Sequence, residues 1–218
     1  MTIRTTLITS SLIAASLIAA SLISGTAHAA LQGRDLNGSA GSFEAYYDTD
    51  LNITWLANAN VKGPMDWDAA NTWAADLSFT DGVNTYADWR LPISDTCTVY
   101  NCTGSEMGYL FYNVLGNNAL FYIPAVHVPQ VGDGLTNTGP FSRLQANVYW
   151  SGTEYASGNG LAWSFYFGSG GQLTSYKHNG FHALAVSPGD VGAVPEAETY
   201  ALMLAGLGLI GWRARRRG

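Results

Sequence analysis

Two pairs of carboxylates have a spacing from which a hydrolase could build its acid and its base. Asp48 and Asp50 are two residues apart, and so are Asp66 and Asp68. Glycosidase carboxylates flank a cleft at about 5 to 9 Å, a separation that distance along the chain does not fix. The sequence has no G-x-S-x-G, H-E-x-x-H or Cys–His nucleophile pattern. An envelope polysaccharide hydrolase is therefore the alternative hypothesis, and the favoured prediction is a protein that is not an enzyme.

Metal binding is the second chemistry to weigh. Residues 48–52 have the D-x-D-x-N spacing that opens calcium loops, but Ile53 stands where such a loop has Gly and Ala59 where it has Glu. A turn is the preferred interpretation, and calcium stays open as the alternative. His178 and His182 are four apart in an alternating stretch typical of a strand, where that spacing is about 13 Å. We expect no cofactor and no metal site.

Cys97 and Cys102 are the only cysteines of the chain. In an oxidising compartment a disulfide closing this six-residue loop is expected, with a stabilisation of roughly 2 kcal/mol on the chain-entropy argument. Zinc requires four ligands, and no second pair of cysteines is present to supply them.

Sugar binding is the remaining chemistry, and aromatic rings could provide it. Tyr155, Trp163, Tyr166 and Tyr176 are the candidate ligand-binding residues, in a last third rich in Gly, Asn and Ser whose loops could present rings to sugars. Most of the other aromatic side chains are expected to fill the core.

The elements that would position these residues are helices early and strands late. A helix is predicted over 66–77 with Asp66 as N-cap, and a second over 106–115, capped by Ser105 and ended by Gly116. Residues 31–42 are predicted to be a loose lead-in. Strands are predicted at 43–47 and 53–56 around a turn, and at 148–155, 161–167, 173–178 and 182–186. The last four segments predict an antiparallel β-meander, in which Trp163, Phe165 and Phe167 alternate with outward residues of a half-buried strand, so the fold class is α+β.

The charge of the central region excludes one class of partner. Residues 30–193 contain five basic and fourteen acidic side chains, a net charge of minus nine, whereas the whole chain has a net charge of −6. Nucleic acid is not an expected partner, because phosphates need Lys and Arg to replace their counterions. Unaided binding of sulfated or uronic polysaccharides is disfavoured for the same reason.

The first 29 residues have the three-part layout of a secretory signal peptide. Arg4 precedes an uncharged run rich in Leu, Ile, Ala and Ser, which closes on A-H-A at 27–29. Signal peptidase is therefore an expected partner, and the mature chain is predicted to start at Ala30.

The other end carries a short apolar segment and a basic tail. Residues 199–212 are uncharged and would span about 21 Å as a helix, against about 30 Å of hydrocarbon, before a cluster of four arginines. Such a marginal span predicts a transient inner-membrane anchor, with the arginines inside and the body outside. With Val194, Pro195 and Glu196 before it, the end resembles the PEP-CTERM sorting signal, which implies cleavage by an exosortase and release to the cell surface or the extracellular matrix. Ala197 replaces the usual second proline.

Several motifs of the body resemble a second family. I-T-W-L at 53–56, the helix with Trp67 and Trp73, D-W-R-L-P at 88–92 and Y-W-S-G-T at 149–153 occur in that order. Together with the closing aromatic strands they resemble the Lcl C-terminal type of domain. The resemblance covers roughly residues 44–190.

That resemblance implies a C-type-lectin-like fold and no established catalytic residues. The chain has A-L-A-V at 183–186 where family members often have an Arg-Cys-Val-Arg-like strand. The sequence thus predicts a signal peptide at 1–29, one domain at 30–193 and a sorting signal at 194–218. The predicted function is an exported, non-catalytic binding or structural module, with a polysaccharide as candidate ligand.

Overall fold

The computed structural model describes residues 31–39, 41–121 and 132–192, together with Leu207. These residues form two short helices and antiparallel sheets, so the α+β class is confirmed. The elements in chain order are β1 (Leu31–Arg34), β2 (Ala45–Asp48), β3 (Ile53–Leu56), α1 (Trp67–Ala75), β4 (Phe79–Thr80), β5 (Thr85–Tyr86), α2 (Glu106–Tyr109), β6 (Val148–Glu154), β7 (Leu161–Tyr166), β8 (Gly171–Tyr176) and β9 (Val186–Pro188).

The first and last strands of the domain meet in one antiparallel sheet, in the order β1-β2-β3-β9. The predicted turn joins β2 to β3, because the Asp48 carboxylate accepts the N–H groups of Asp50 and Leu51 and so closes the turn. Asn52 completes it with a φ of 52°, a left-handed conformation that Asn tolerates well.

The prediction of a loose lead-in over 31–42 is wrong. β1 pairs with β2 along its whole length, and the Arg34 guanidinium binds the carboxylate of Asp190 at 2.6 and 2.9 Å. Leu36 is fully buried just beyond the strand. The prediction failed because a short edge strand is held by backbone pairing and one buried leucine, which give no clear sequence pattern in a stretch rich in Gly and Ser.

The meander has three strands, β6-β7-β8, where four segments were predicted. The fourth segment, 182–186, leaves it: His182 makes a single bridge to Tyr149, and β9 pairs with β3 of the other sheet. The prediction of a strand over 182–186 is therefore correct only at Val186, and all five residues are buried, so the segment does not alternate between core and solvent. The β3 partner of Val186 is Trp55, more than 130 residues away, which periodicity does not reveal.

Both faces of the meander are covered, which changes the pattern expected for β7. One face carries Trp150 and Ala162 and packs in a cluster with α1, while the opposite face carries Tyr149 and Phe165 and packs against α2 and the residues that follow it. Ser164, predicted to face outward, is only 2% exposed as a result. The alternation itself is confirmed at Tyr166, which is 38% exposed.

Helix α1 begins as predicted and ends two residues early. Asp66 caps it by accepting the N–H of Ala69 at 2.8 Å, and Ala70 and Ala74 are fully buried. Trp67 and Trp73 are only partly buried at the edge of this core.

Helix α2 is capped by Ser105, whose hydroxyl accepts the N–H of Gly108 at 3.1 Å. After one turn it widens into a π-helical segment, Leu110–Val114, and Gly116 ends it with a φ of 65°. A side chain at Gly108 would overlap the carbonyl oxygen of Cys102. This close approach seats α2 against the cysteine loop.

Candidate ligand-binding cleft

A cleft of about 450 Å³ opens between the irregular segment 94–98 and residues 153–157, which are the end of β6 and the turn that follows it. Hydroxyl groups and aromatic rings dominate the residues that line it. They are Ser94, Asp95, Thr96, Thr98, Thr153, Glu154, Tyr155, Ala156, Ser157 and Trp163.

The predicted disulfide is present and shapes the first wall. Cys97 and Cys102 are joined, with their Cα atoms 5.5 Å apart, and Val99 between them exchanges two backbone hydrogen bonds with Gln172 of β8, at 2.8 and 2.6 Å. Val99 has a φ of 74° and Asn101 one of 61°. A β-branched residue in the left-handed region is strained, so the crosslink and the backbone pairing together hold the loop in one conformation.

Gln172 fastens this wall from beneath. Its side chain is fully buried, and its Nε2 donates to the Asp95 carboxylate at 2.9 Å and to the Cys97 carbonyl at 2.7 Å. Thr96 lies between the two anchored residues and Thr98 directly after them. Their placement at the cleft is therefore set by a residue 75 positions away along the chain.

The second wall is tied to the first by the two most specific sequence motifs. Ser151 donates its hydroxyl to the carbonyl of Pro92 at 2.9 Å, and Gly152 donates its N–H to the same oxygen at 2.9 Å. The Thr153 hydroxyl then accepts the N–H of Ser94 at 2.9 Å. The D-W-R-L-P and Y-W-S-G-T motifs thus lie side by side, and the two walls diverge from their ends.

The structure brings together two of the four aromatic candidates. Tyr155 and Trp163 both line the cleft, edge to face with ring centroids 5.6 Å apart. Trp163 is only 4% exposed, so it backs the cleft, while the partly exposed Tyr155 offers a ring. Tyr176 lies on the same sheet face farther out, whereas Tyr166 points to the opposite face.

The cleft has few charged side chains, and each of them has an ion-pair or hydrogen-bond partner. Glu154 pairs with Lys177, whose ammonium also lies 4.1 Å from the centre of the Trp67 ring. The Asp95 carboxylate accepts the amide of Gln172 and the N–H of Cys97. None of the described residues that line the cleft is Lys or Arg. Long-range attraction of an anionic ligand is therefore not available from these residues.

The carboxylate pairs singled out above have structural tasks and lie outside this cleft. Asp48 is fully buried and accepts the indole N–H of Trp55 at 3.3 Å in addition to its two turn bonds. Asp50 accepts the hydroxyl of Tyr109 at 2.8 Å, which raises the pKa of that tyrosine. Asp66 is the cap of α1, and Asp68 lies in its first turn, where a negative charge is favourable.

His182 and His178 have different surroundings. His182 is 5% exposed, with its ring nitrogens 3.1 Å from the Asn60 side-chain oxygen and 3.0 Å from the Asn147 amide. His178 stacks on Tyr176 with centroids 5.5 Å apart. Within the described part of the chain, no three His, Cys, Asp or Glu side chains are grouped to hold a metal ion.

Sequence reasoning missed the polar lining of the cleft. The signal was present in the threonines on either side of Cys97, since a disulfide loop rich in hydroxyls is a rigid polar wall. No sequence pattern indicated Gln172, because its hydrogen bonds to the first wall depend on which loop packs across β8.

Fold and cleft define an α+β domain with a preorganised polar and aromatic groove beside a disulfide loop. Residues 44–187 match the Lcl C-terminal domain family, and the chain belongs to that family. No curated protein sequence matches the chain.

The C-terminal end matches a second pattern. Residues 193–217 match the PEP-CTERM protein-sorting motif, which implies processing by the exosortase system and export to the cell surface. Val194, Pro195 and Glu196, like the predicted signal peptide, lie outside the described residues. No helix within the described ranges has the length and apolar character needed to cross a membrane.

Proposed function

We propose that the exported protein is a non-catalytic module that binds a neutral glycan at the cell surface or in the extracellular matrix. The observation that carries this proposal is the lining of the cleft, where hydroxyl groups surround a tyrosine and a tryptophan and no described lining residue is cationic. We also propose that the fold is C-type-lectin-like, which is compatible with its two helices and antiparallel sheets.

The chemistry of the cleft suits a sugar for two reasons. An aromatic ring can cover the apolar face of a pyranose, and hydroxyl side chains can donate to and accept from the sugar hydroxyls around its edge. Tyr155 would supply the ring, and Thr96, Thr98 and Ser157 would supply the hydroxyls. Because the disulfide and Gln172 already hold the first wall, little conformational entropy would be lost on binding.

The net charge of minus nine over residues 30–193 supports a neutral ligand. Like charges repel at long range, and salt only screens that repulsion. An acidic glycan would need a divalent cation to bridge it to the carboxylates, and the cleft offers only Asp95 and Glu154 for that purpose among its described residues.

A glycan array probed with protein purified from the exported fraction tests the proposal. We expect retention of neutral glycans that is unchanged by a calcium chelator and is lost in Tyr155→Ala. Tyr166→Ala is the matched control, because it removes a tyrosine from the opposite face of the same sheet. Calcium-dependent retention of acidic glycans alone would contradict the neutral ligand, and shortening of the arrayed chains would favour the hydrolase hypothesis.

A further inference from the structure

Three side chains form a row across the end of the three-stranded sheet. The N–H of Tyr155 donates to the carbonyl of Leu161 at 3.0 Å, and Leu161 is the register partner of Tyr176 on β8. Tyr155, one residue beyond the end of β6, is therefore a direct neighbour of Leu161 on β7, and Leu161 is a direct neighbour of Tyr176 on β8. Adjacent strands lie about 4.8 Å apart, so the two tyrosine backbones are about 10 Å apart.

The row lies on the face that carries the cleft. Leu161 and Trp163 point to the same side of β7, since side chains alternate along a strand, and Trp163 lines the cleft. Thr174 opposite Trp163 and Tyr176 opposite Leu161 continue this face on β8. The surface from the cleft to Tyr176 is thus continuous along neighbouring positions of the sheet.

Tyr176 has the exposure and the rigidity of a binding platform. It is 61% exposed, so its ring contributes little to the core. His178 stacks on it at an interplanar angle of 23°, which restrains the orientation of the ring. The next residue, Lys177, points to the opposite face, where it pairs with Glu154 and lies over the Trp67 ring.

We propose that Tyr176 is an outer aromatic platform that continues the cleft. The site then takes an internal stretch of a linear neutral polysaccharide, several sugars long, and not a single terminal sugar. This inference rests on the proposed glycan binding. Its physical basis is that Tyr155 and Tyr176 are too far apart to cover the same pyranose ring, so that each additional sugar along the row finds a further apolar surface.

The length dependence of binding tests the inference. The probes are two neutral, unbranched series, the β-1,4-linked and β-1,3-linked glucose oligomers from disaccharide to hexasaccharide, titrated into the exported protein. We expect the hexasaccharide of at least one series to bind about tenfold more tightly than its disaccharide, the factor expected when one more aromatic face is covered.

Substitutions test which residue causes the higher affinity for the hexasaccharide. Tyr176→Ala should abolish the preference for the hexasaccharide, and Tyr176→Phe should retain it, because the ring and not the hydroxyl provides the platform. Tyr155→Ala should weaken all lengths, and Tyr166→Ala should change none of them. Circular dichroism of each variant checks that the fold is intact.

Two outcomes separate the inference from the proposal beneath it. Equal affinity for all lengths, or an equal loss for disaccharide and hexasaccharide in Tyr176→Ala, would overturn the outer platform and leave the cleft as the binding site. Failure of both series at every length in the unaltered protein would overturn the neutral-glycan proposal itself, and the platform with it.

Discussion

Arg90 binds Glu106 through two parallel hydrogen bonds, Nη1 to Oε2 at 2.8 Å and Nη2 to Oε1 at 2.7 Å. Glu106 Oε2 also accepts the N–H of Ile93 at 2.7 Å. The pair therefore joins the D-W-R-L-P motif to the first residue of α2 and directs the chain toward the wall of the cleft that begins at Ser94. The hydrogen bond to Glu106 raises the pKa of Arg90 above its ordinary value, as expected for a cation held by a carboxylate.

Removing one partner of this pair should destabilise the fold. Glu106→Ala removes both carboxylate hydrogen bonds of the Arg90 guanidinium, which keeps its bond to the Leu91 carbonyl, and takes the acceptor from the N–H of Ile93. We expect a loss of about 2 kcal/mol in the free energy of unfolding. A double-mutant cycle with Arg90→Ala, followed by urea denaturation, measures the coupling. Glu154→Gln is the control, because the exposed pair with Lys177 should contribute less than about 1 kcal/mol. A coupling energy near zero would contradict this account.

The disulfide should contribute modestly to stability and more to binding. Because its loop has only six residues, Cys97→Ser should lower the free energy of unfolding by about 2 kcal/mol or less. The strained Val99 would then be free to relax, so Thr96 and Thr98 should lose their fixed placement and glycan affinity should fall. Thiol titration of exported protein checks the premise, and two free thiols in the unaltered protein would refute it.

The stability of the domain should fall in mildly acidic solution because of His182. Burial lowers its pKa below the ordinary value of 6.5, so the unfolded chain takes up a proton that the folded protein binds only at lower pH. Folding stability should therefore decrease as the pH drops below about 6.5, toward the lowered pKa of the folded state.

Urea denaturation at several pH values measures this effect. His182→Gln should remove the corresponding part of the pH dependence. An identical pH dependence in His182→Gln and the unaltered protein would show that His182 does not cause it.

Processing at both ends is predicted for the exported protein. Mass spectrometry of surface or medium fractions should find a form that lacks residues 1–29 and the basic tail. Replacing Glu196 by Ala should leave protein in the inner membrane, because the motif and not the marginal apolar segment directs release. Replacing Glu198, two residues beyond the motif, is the control and should not impair release. An intact tail at 213–218 in exported protein would disprove the prediction.

Glycan binding should be insensitive to salt. If ring stacking and hydrogen bonds supply the affinity, raising the salt concentration from about 0.1 to 1 M should change it by less than about twofold, since screening acts on charges. Affinity electrophoresis or calorimetry at both concentrations measures this. Tight, metal-free binding to a sulfated polymer that weakens steeply with salt would contradict it, and would require Arg90, Arg143 and Lys177 to act as a basic patch.

The features that could be predicted from the sequence are those formed by residues that are close together in the chain. The Asp66 and Ser105 caps, the turn after Asp48 and the disulfide between Cys97 and Cys102 all follow from side chains that act within a few residues. The family motifs and the C-terminal sorting motif are likewise short stretches of sequence, and both families are matched by the chain. Such signals are short in range, so composition and spacing report them directly.

The cleft, by contrast, depends on contacts between distant parts of the chain. Tyr155 and Trp163 were candidates from their type alone, but Thr96, Thr98 and Gln172 become relevant only because Val99 pairs with β8 and takes a left-handed conformation. The same register puts Tyr176 on the face of the cleft and Tyr166 behind it. Strand register and loop conformation result from the packing of the whole domain, and a shift of one residue would reverse every one of these placements.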